Sequence, residues 1–504
     1  MAILEVIDQL FPSASWAIAA LVLVLWKYLS FPTEIPVIET RKGWEVSYAR
    51  AKQRFTAGGA SLIRFTEAKF KAFFIITDLG ERLILSGQRY AHELRNETRL
   101  DSGLFLEKDL YTTLPGFEPF SNGRRHGRIT HDIVARLTRT IPAVVQPIAE
   151  EASLSIREVW TDEKEWHAID IQPSLARIIA SVAGRIYIGD ELSRNPRWLD
   201  AILSYTGKDV LAIYVLKKWP EWTIPLVHWL LPSCRNLRRR QQELRQLLLP
   251  VIGQRREQRA RQASNKEKPQ LDILDFIEDS AHRGEAYDPV ISIIAFFFAT
   301  IPTASDLLTK VIFDIVSRPD LVAELRQEVI SAVESHGWSR NTIHSLKRMD
   351  SAIKETQRLQ PVSSILMRRL ATETFTLKDG TVIPQGKIVG VTIHHMWEAE
   401  LYPEPEKYDP YRFLRMKENP GQEHKAHAVA TSVEHMGFGH GNAACPGRFF
   451  AVATVKVILS HILMRYEIKS VESEMPRTLS AGISCIANPM AQLMVRRREE
   501  EIAL

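Results

Sequence analysis

The chain has 504 residues, 45% hydrophobic and 25% charged, a globular balance that allows one large domain or two. Lys and Arg total 65 against 60 Asp and Glu, a formal charge of only +5, and aromatic and basic residues are not interleaved, which argues against a nucleic-acid partner. Cys234, Cys445 and Cys485 are scattered without C-x-x-C spacing, so they support neither a disulfide framework nor a cysteine-rich zinc site, and point to a reducing compartment.

From Pro12 to Phe31 the sequence reads PSASWAIAALVLVLWKYLSF, with Lys27 its single charge and an unbroken apolar run from Trp16 to Trp26. Twenty helical residues reach about 30 Å, one bilayer core, so residues 12–31 read as a transmembrane anchor behind a short luminal segment at 1–11. A secretory leader is the rival reading, but Glu5 and Asp8 precede the run without Lys or Arg, whereas a leader starts basic. A buried N-terminal helix is the plainer alternative. Lys27, Arg41 and Lys42 follow the run, and the positive-inside tendency then faces the rest of the chain to the cytoplasm. Pro32 and Pro36 end the helix with a stiff exit.

Beyond the anchor, FFIITD from Phe73 reads as a strand, and most of the chain after it is helical in pattern, with no internal repeat. RLTRTIPAVVQPIAEEASLSIREVW and QPSLARIIASVAGRIYIG carry apolar residues at three- and four-residue steps, as helices packed on one side do. KKWPEWTIPLVHWLLP holds Trp219, Trp222 and Trp229 among prolines, a segment suited either to the core or to a membrane interface. Nine arginines between Arg235 and Arg261 lie on a helical pattern and read as a solvated face ahead of the polar linker QASNKEKPQ.

Pro289 to Ser317 is a long apolar helical pattern. In SAIKETQRLQP, Glu355 and Arg358 stand three apart and share a helix face, close enough for a charge-assisted pair. FTLKDGTVIPQGKIVGVTIHHM reads as strands with a hairpin turn at Asp379-Gly380. In the proline-punctuated YPEPEKYDPYRFLR, Arg412 supplies a second guanidinium able to clamp that meander to the Glu355 helix by bidentate geometry. FGHGNAACPGRFFA then sets Cys445 in a glycine loop directly before a helix, where it reads as buried filler or as a presented ligand. A turn followed by a helix start offers backbone N–H groups and a positive dipole end to a thiolate. GISCIANPMAQLMVRRR closes the chain as strand.

E-x-x-R, then P-x-R-F, then F-G-x-G-x-x-x-C-P-G-R, in this order and at these separations, resembles the cytochrome P-450 family of haem-thiolate proteins over nearly the whole chain. The stretch between Ala135 and Gly189 looks like the branch used by filamentous fungi in secondary metabolism. The resemblance implies a mainly α fold with smaller β-sheets and a catalytic domain at 32–504. It implies haem b with Cys445 as its axial ligand, Gly441 and Gly447 permitting the tight loop, and Phe438 shielding the sulfur. Thr303 would aid proton delivery to bound dioxygen, and Glu355, Arg358 and Arg412 would form a structural clamp. The implied setting is the endoplasmic reticulum membrane, with an NADPH-dependent reductase, cytochrome b5 as a further donor, and a lipophilic terpenoid, alkaloid or polyketide as substrate.

The sequence departs from that family in two places. The oxygen-side signature A/G-G-x-D/E-T-T aligns with Ala299 to Ala304, so Pro302 replaces the acid, and it is expected to kink the helix. Two residues before the cysteine, Ala443 stands where the family has a basic partner for a haem propionate, and Val134 stands where a helix arginine is expected. Arg369 or Arg368, with His131, are the candidates for that pairing. The missing acid keeps open a haem-thiolate isomerase, dehydratase or oxidative coupling enzyme, and a non-catalytic haem- or lipid-binding membrane protein is a third reading.

Overall fold

The computed structural model describes residues 35–38, 40–45, 48–121, 127–262, 272–281, 288–471 and 478–502. The expected anchor at 12–31 and the segment at 1–11 lie outside the described residues. The described residues are mainly helical with small sheets.

The axis of the helical part is Pro289–Val316. Asp288 caps it, accepting from the amides of Val290 at 2.9 Å and Ile291 at 3.3 Å, and Pro289 opens its first turn. Among the described residues it is the one helix long and apolar enough to cross a membrane, yet 61% of its apolar window is buried inside the protein. It packs against Ile171–Tyr187, which packs in turn on the 34-residue helix Gly127–Trp160. The apolar steps noted in these two sequences are the residues that meet: Ile148, Ala152 and Ile156 of one with Leu175, Ile178 and Val182 of the other lie in a single core cluster. The helix Arg448–Arg465 that follows the cysteine loop closes the same core.

The largest sheet has six strands in the order Val37–Ile38, Ala72–Thr77, Gly80–Leu85, Ile388–Thr392, Ile365–Ala371, Leu100–Asp101. Both faces are covered. Phe74, Leu83, Val389 and Val391 pack on one side, and Phe73, Ile75 and Ile84 pack on the other against Phe55 and Ile63 of the helix Ala49–Glu67. Strands buried on both faces read as continuous apolar runs, which is why FFIITD carries no alternation. The expected hairpin turns at Gly380, φ +88°, where only glycine sits without strain. The C-terminal strand-like stretch divides between two sheets, Ser484–Ala487 pairing with Thr478–Ala481 and Gln492–Arg497 with Tyr466–Ser470.

One surface feature resolves differently from its pattern, and another resolves to one of its two readings. The arginine-rich helix Pro232–Gln262 is tied by ion pairs to the acidic segment beyond the linker: Arg255 to Asp272 at 2.5 Å, Arg256 to Glu278 at 2.7 Å, Arg259 to Asp275 at 2.6 Å, and Arg245 to Asp288. Trp219, Trp222 and Trp229 are outside the core, and with Leu226 and Leu230 they form an apolar patch in which Trp222 is 82% exposed.

Candidate active site

The loop around Cys445 is shaped by two close approaches. Gly439 sits at φ +73° and Gly441 at φ +61°, and the Cys445 amide donates to the Phe438 carbonyl at 2.7 Å. A Cβ on Gly441 would stand 2.3 Å from the Arg95 carbonyl oxygen, the same oxygen that accepts from the Asn442 amide at 2.8 Å. Glycine is therefore required there by both torsion and space. Gly447 is under neither constraint: its φ is −82° and nothing lies within 4 Å of an added Cβ. Its contribution is its amide, which with that of Arg448 points at the sulfur.

Arg448 opens the following helix and donates from Nη1 to the Cys445 carbonyl at 2.8 Å and from Nε to the Val429 carbonyl at 3.0 Å. Burial pushes the Cys445 thiol up, while the two amides and the Arg448 guanidinium act the other way. Phe438 is half-buried against the helical core.

On the Pro289–Val316 helix most residues are buried, but Ala299 and Thr303, one turn apart, are exposed, with Phe298, Thr300 and Pro302 half-buried beside them. The helix is thus bared at one turn in its middle. Thr303 Oγ1 donates to the Ala299 carbonyl at 2.7 Å, with the Thr300 carbonyl at 3.4 Å. Pro302 lies inside the helix without ending it, although its missing amide leaves the Phe298 carbonyl without the usual helix bond. The Thr300 hydroxyl meets the Tyr187 phenol at 2.7 Å. Neither Tyr187 nor Thr300 was singled out by the sequence, because residues 113 apart leave no shared period.

Glu355, Arg358 and Arg412 come together in the interior. Arg358 gives the carboxylate two bonds, 2.8 and 2.9 Å, and Arg412 Nε lies 3.1 and 3.2 Å from its two oxygens. The Asp409 amide adds a fifth at 3.2 Å. The outer nitrogens reach the meander: Arg358 to the carbonyls of Met396 and Pro405, both 2.7 Å, and Arg412 to that of Pro403 at 2.7 Å. Tyr402 lies under both guanidiniums, 5.0 and 5.9 Å from its ring centre.

Of the propionate candidates, Arg369 is 2% exposed, donates to the Leu94 carbonyl at 2.6 Å, and has no partner for its Nε among the described residues. Arg368 faces elsewhere, over the Phe105 ring at 5.3 Å and in the field of Asp109. The side chain of His131 lies outside the described residues. His440, which no local sequence pattern marks, has a buried Nδ1 without a partner among the described residues, and burial with the nearby Arg95 and His92 draws its pKa down.

One thiol in a glycine loop at a helix start, near a core helix that bares a threonine, defines the haem-thiolate class of protein. The sequence model of the family described as Cytochrome P-450 matches residues 105–494. Cytochrome P-450 monooxygenase esdpI of Penicillium shearii is 37% identical over 477 residues, 93% of this chain and 92% of the relative. Cytochrome P-450 monooxygenase 1 of Gibberella fujikuroi is 39% identical over 438 residues, 86% of this chain and 99% of the relative. Cytochrome P-450 monooxygenase ptmU of Penicillium ochrochloron is 35% identical over 500 residues, 98% of both chains. The chain belongs to the cytochrome P-450 family and is a haem-thiolate monooxygenase. Membership brings a haem with an axial thiolate, and electrons from NADPH by way of a reductase.

The residues present fit that cofactor. An iron porphyrin needs a sulfur ligand, an open face and donors for two carboxylates. Cys445 with its amide donors, the bared Ala299–Thr303 turn, and the unpartnered Nε of Arg369 and Nδ1 of His440 match those needs.

Proposed function

We propose that this enzyme inserts one atom of dioxygen into a C–H or C=C bond of a lipophilic secondary-metabolite intermediate, a terpenoid, alkaloid or polyketide, at a haem ligated by Cys445. The bound haem supplies oxygen activation, which electron donation from a thiolate favours. Thr303 holds a proton at Oγ1 on the bared turn, and the Gly447 and Arg448 amides stabilise the sulfur's charge. Phe438 keeps water from the sulfur. Arg369 and His440 receive the propionates. The clamp of Glu355, Arg358 and Arg412 fixes the meander that leads into the cysteine loop, keeping loop and helix in register.

The single observation that carries the reading is the bared Ala299–Thr303 turn in an otherwise buried helix, which an open space over the haem would account for. The cavity's apolar character is supported by Phe298, whose ring lies 4.6 Å from that of Phe120. We read the segments 361–367 and 479–485 as further substrate contacts, and they are paired with each other: Ser363 bridges Ser484, and the Ser364 amide donates to the Ile483 carbonyl at 2.8 Å. The Trp222 patch, with the apolar segment at 12–31, supports attachment to the endoplasmic reticulum membrane, where a flavoprotein reductase and cytochrome b5 meet the cytoplasmic domain.

The reduced protein with carbon monoxide is expected to show the absorption band of thiolate ligation, and Cys445→Ser to abolish it while Cys234→Ser and Cys485→Ser keep it. Retention of the band in Cys445→Ser overturns the ligand assignment. Pro302 in place of the acid favours one second reading, an isomerase, dehydratase or oxidative coupling enzyme. Product formed with NADPH and labelled dioxygen but carrying no label selects it.

A further inference from the structure

Two departures from the oxygen-side signature fall in one helical turn. Pro302 withdraws the amide that would bond the Phe298 carbonyl, and Thr300 stands where the signature has glycine. Thr300 extends its hydroxyl to the Tyr187 phenol, 2.7 Å away on the neighbouring helix. We propose that Tyr187 is a positioning residue, tying the turn that Pro302 weakens to a fixed neighbour and so holding the Thr303 hydroxyl in place. The proposal rests on the role given to Thr303 above.

Tyr187 is suited to the task by its surroundings. It is 2% exposed, with its ring 5.1 Å from Phe297 on the same long helix and 5.8 Å from Phe450 on the helix that follows the cysteine loop. Packed between those rings it cannot swing away, and burial keeps its phenol protonated and able to donate. The Thr303 hydroxyl takes its position from the same turn, because its bonds go to the carbonyls of Ala299 and Thr300. A displacement of Thr300 is therefore passed to the proton-bearing oxygen.

Tyr187→Phe keeps the ring packing and removes only the hydroxyl. In the full chain, hydrogen exchange of the amides at 299–304 is expected to quicken roughly two- to ten-fold, the range a single buried hydrogen bond supports, while exchange in Arg448–Arg465 is unchanged. The fraction of NADPH oxidation that appears as peroxide should rise, with the carbon monoxide band intact. Thr300→Val should reproduce both effects, and the double variant should be no worse than either single one. Pro302→Ala, which restores the amide, should shrink the effect of Tyr187→Phe. Wild-type exchange in Tyr187→Phe, faster exchange without peroxide, or an undiminished effect in the Pro302→Ala background would each overturn the proposal. The exchange measurement does not depend on turnover, so a failed Cys445 assignment would show separately, in the carbon monoxide spectrum.

Discussion

Glu355→Ala is the most telling substitution in the clamp, because it deletes the one anion on which two interior cations converge. Glu355 and Arg358 are 0% exposed and Arg412 is 9% exposed. The change removes five hydrogen bonds at 2.8 to 3.2 Å and leaves both guanidiniums behind. Deleting one partner of a buried ion pair costs about 3–5 kcal/mol. The carbonyls of Met396, Pro403 and Pro405 still accept from the two arginines, which places the expected loss near the middle of that range, about 4 kcal/mol. Against a domain stability of about 5–15 kcal/mol, that is a large fraction. In urea, followed by far-ultraviolet circular dichroism and haem absorbance, the midpoint should fall by about 1 M, given a denaturant slope of about 3 kcal/mol/M or more for a chain of this size. Glu355→Gln keeps the shape and one acceptor, and should fall between the two. A Glu355→Ala midpoint indistinguishable from wild type would show that the meander is held by its carbonyl contacts alone and refute the reasoning.

Two other substitutions have signs set by the structure. Gly441→Ala forces a Cβ toward the Arg95 carbonyl, 2.3 Å away, from a backbone at φ +61°, so the loop must shift, at a cost of about 1–3 kcal/mol in strain alone; haem content per chain should fall, and wild-type content would refute the close approach. Lys354 is buried, donating to the carbonyls of His427 at 2.8 Å and Ala430 at 2.9 Å, and burial draws its pKa down to about 7. An unfolded lysine keeps its proton to about pH 10.4, so between about pH 7 and 10 the unfolded chain binds more protons and stability rises with pH. Lys354→Met should flatten that rise in urea midpoints taken at about pH 6.5, 8 and 9.5, and equal slopes for variant and wild type would count against a displaced pKa.

Short-range chemistry was legible in the sequence and long-range chemistry was not. Glu355 and Arg358 declare themselves by a three-residue step on one helix, and the glycines around Cys445 by their density. The reason Gly441 must be glycine lies with Arg95, far upstream, which no local pattern marks. The arginine run read as a solvated face because its partners, Asp272, Asp275 and Glu278, stand beyond a polar linker. The order of the six-stranded sheet was equally hidden, since it joins Val37–Ile38 to Ile388–Thr392 through strands buried on both faces, with no alternation to set register. Pro302 does not end its helix, which runs on to Val316 with Thr303 and Ser305 returning their hydroxyls to the Ala299 and Ile301 carbonyls at 2.7 and 2.8 Å. Packing on three sides outweighs one lost bond.

The same displacement of function to a distant element explains why the missing base at Ala443 need not weaken the haem loop. The sulfur and a haem propionate place different requirements on the loop. The sulfur needs donors and a nearby positive charge, and the Gly447 and Arg448 amides with the Arg448 guanidinium supply them within three residues of Cys445. A propionate needs donors that no carbonyl has claimed, and among the described residues Nε of Arg369, on the strand Ile365–Ala371, and Nδ1 of His440, within the loop itself, are buried nitrogens of that kind. His440 is drawn toward its neutral form by burial and by Arg95 and His92. Pro302 beside the Tyr187–Thr300 contact, and Ala443 beside the unpartnered nitrogens of Arg369 and His440, are then parallel cases in which a departure from the family pattern sits next to polar groups that its motif does not mark.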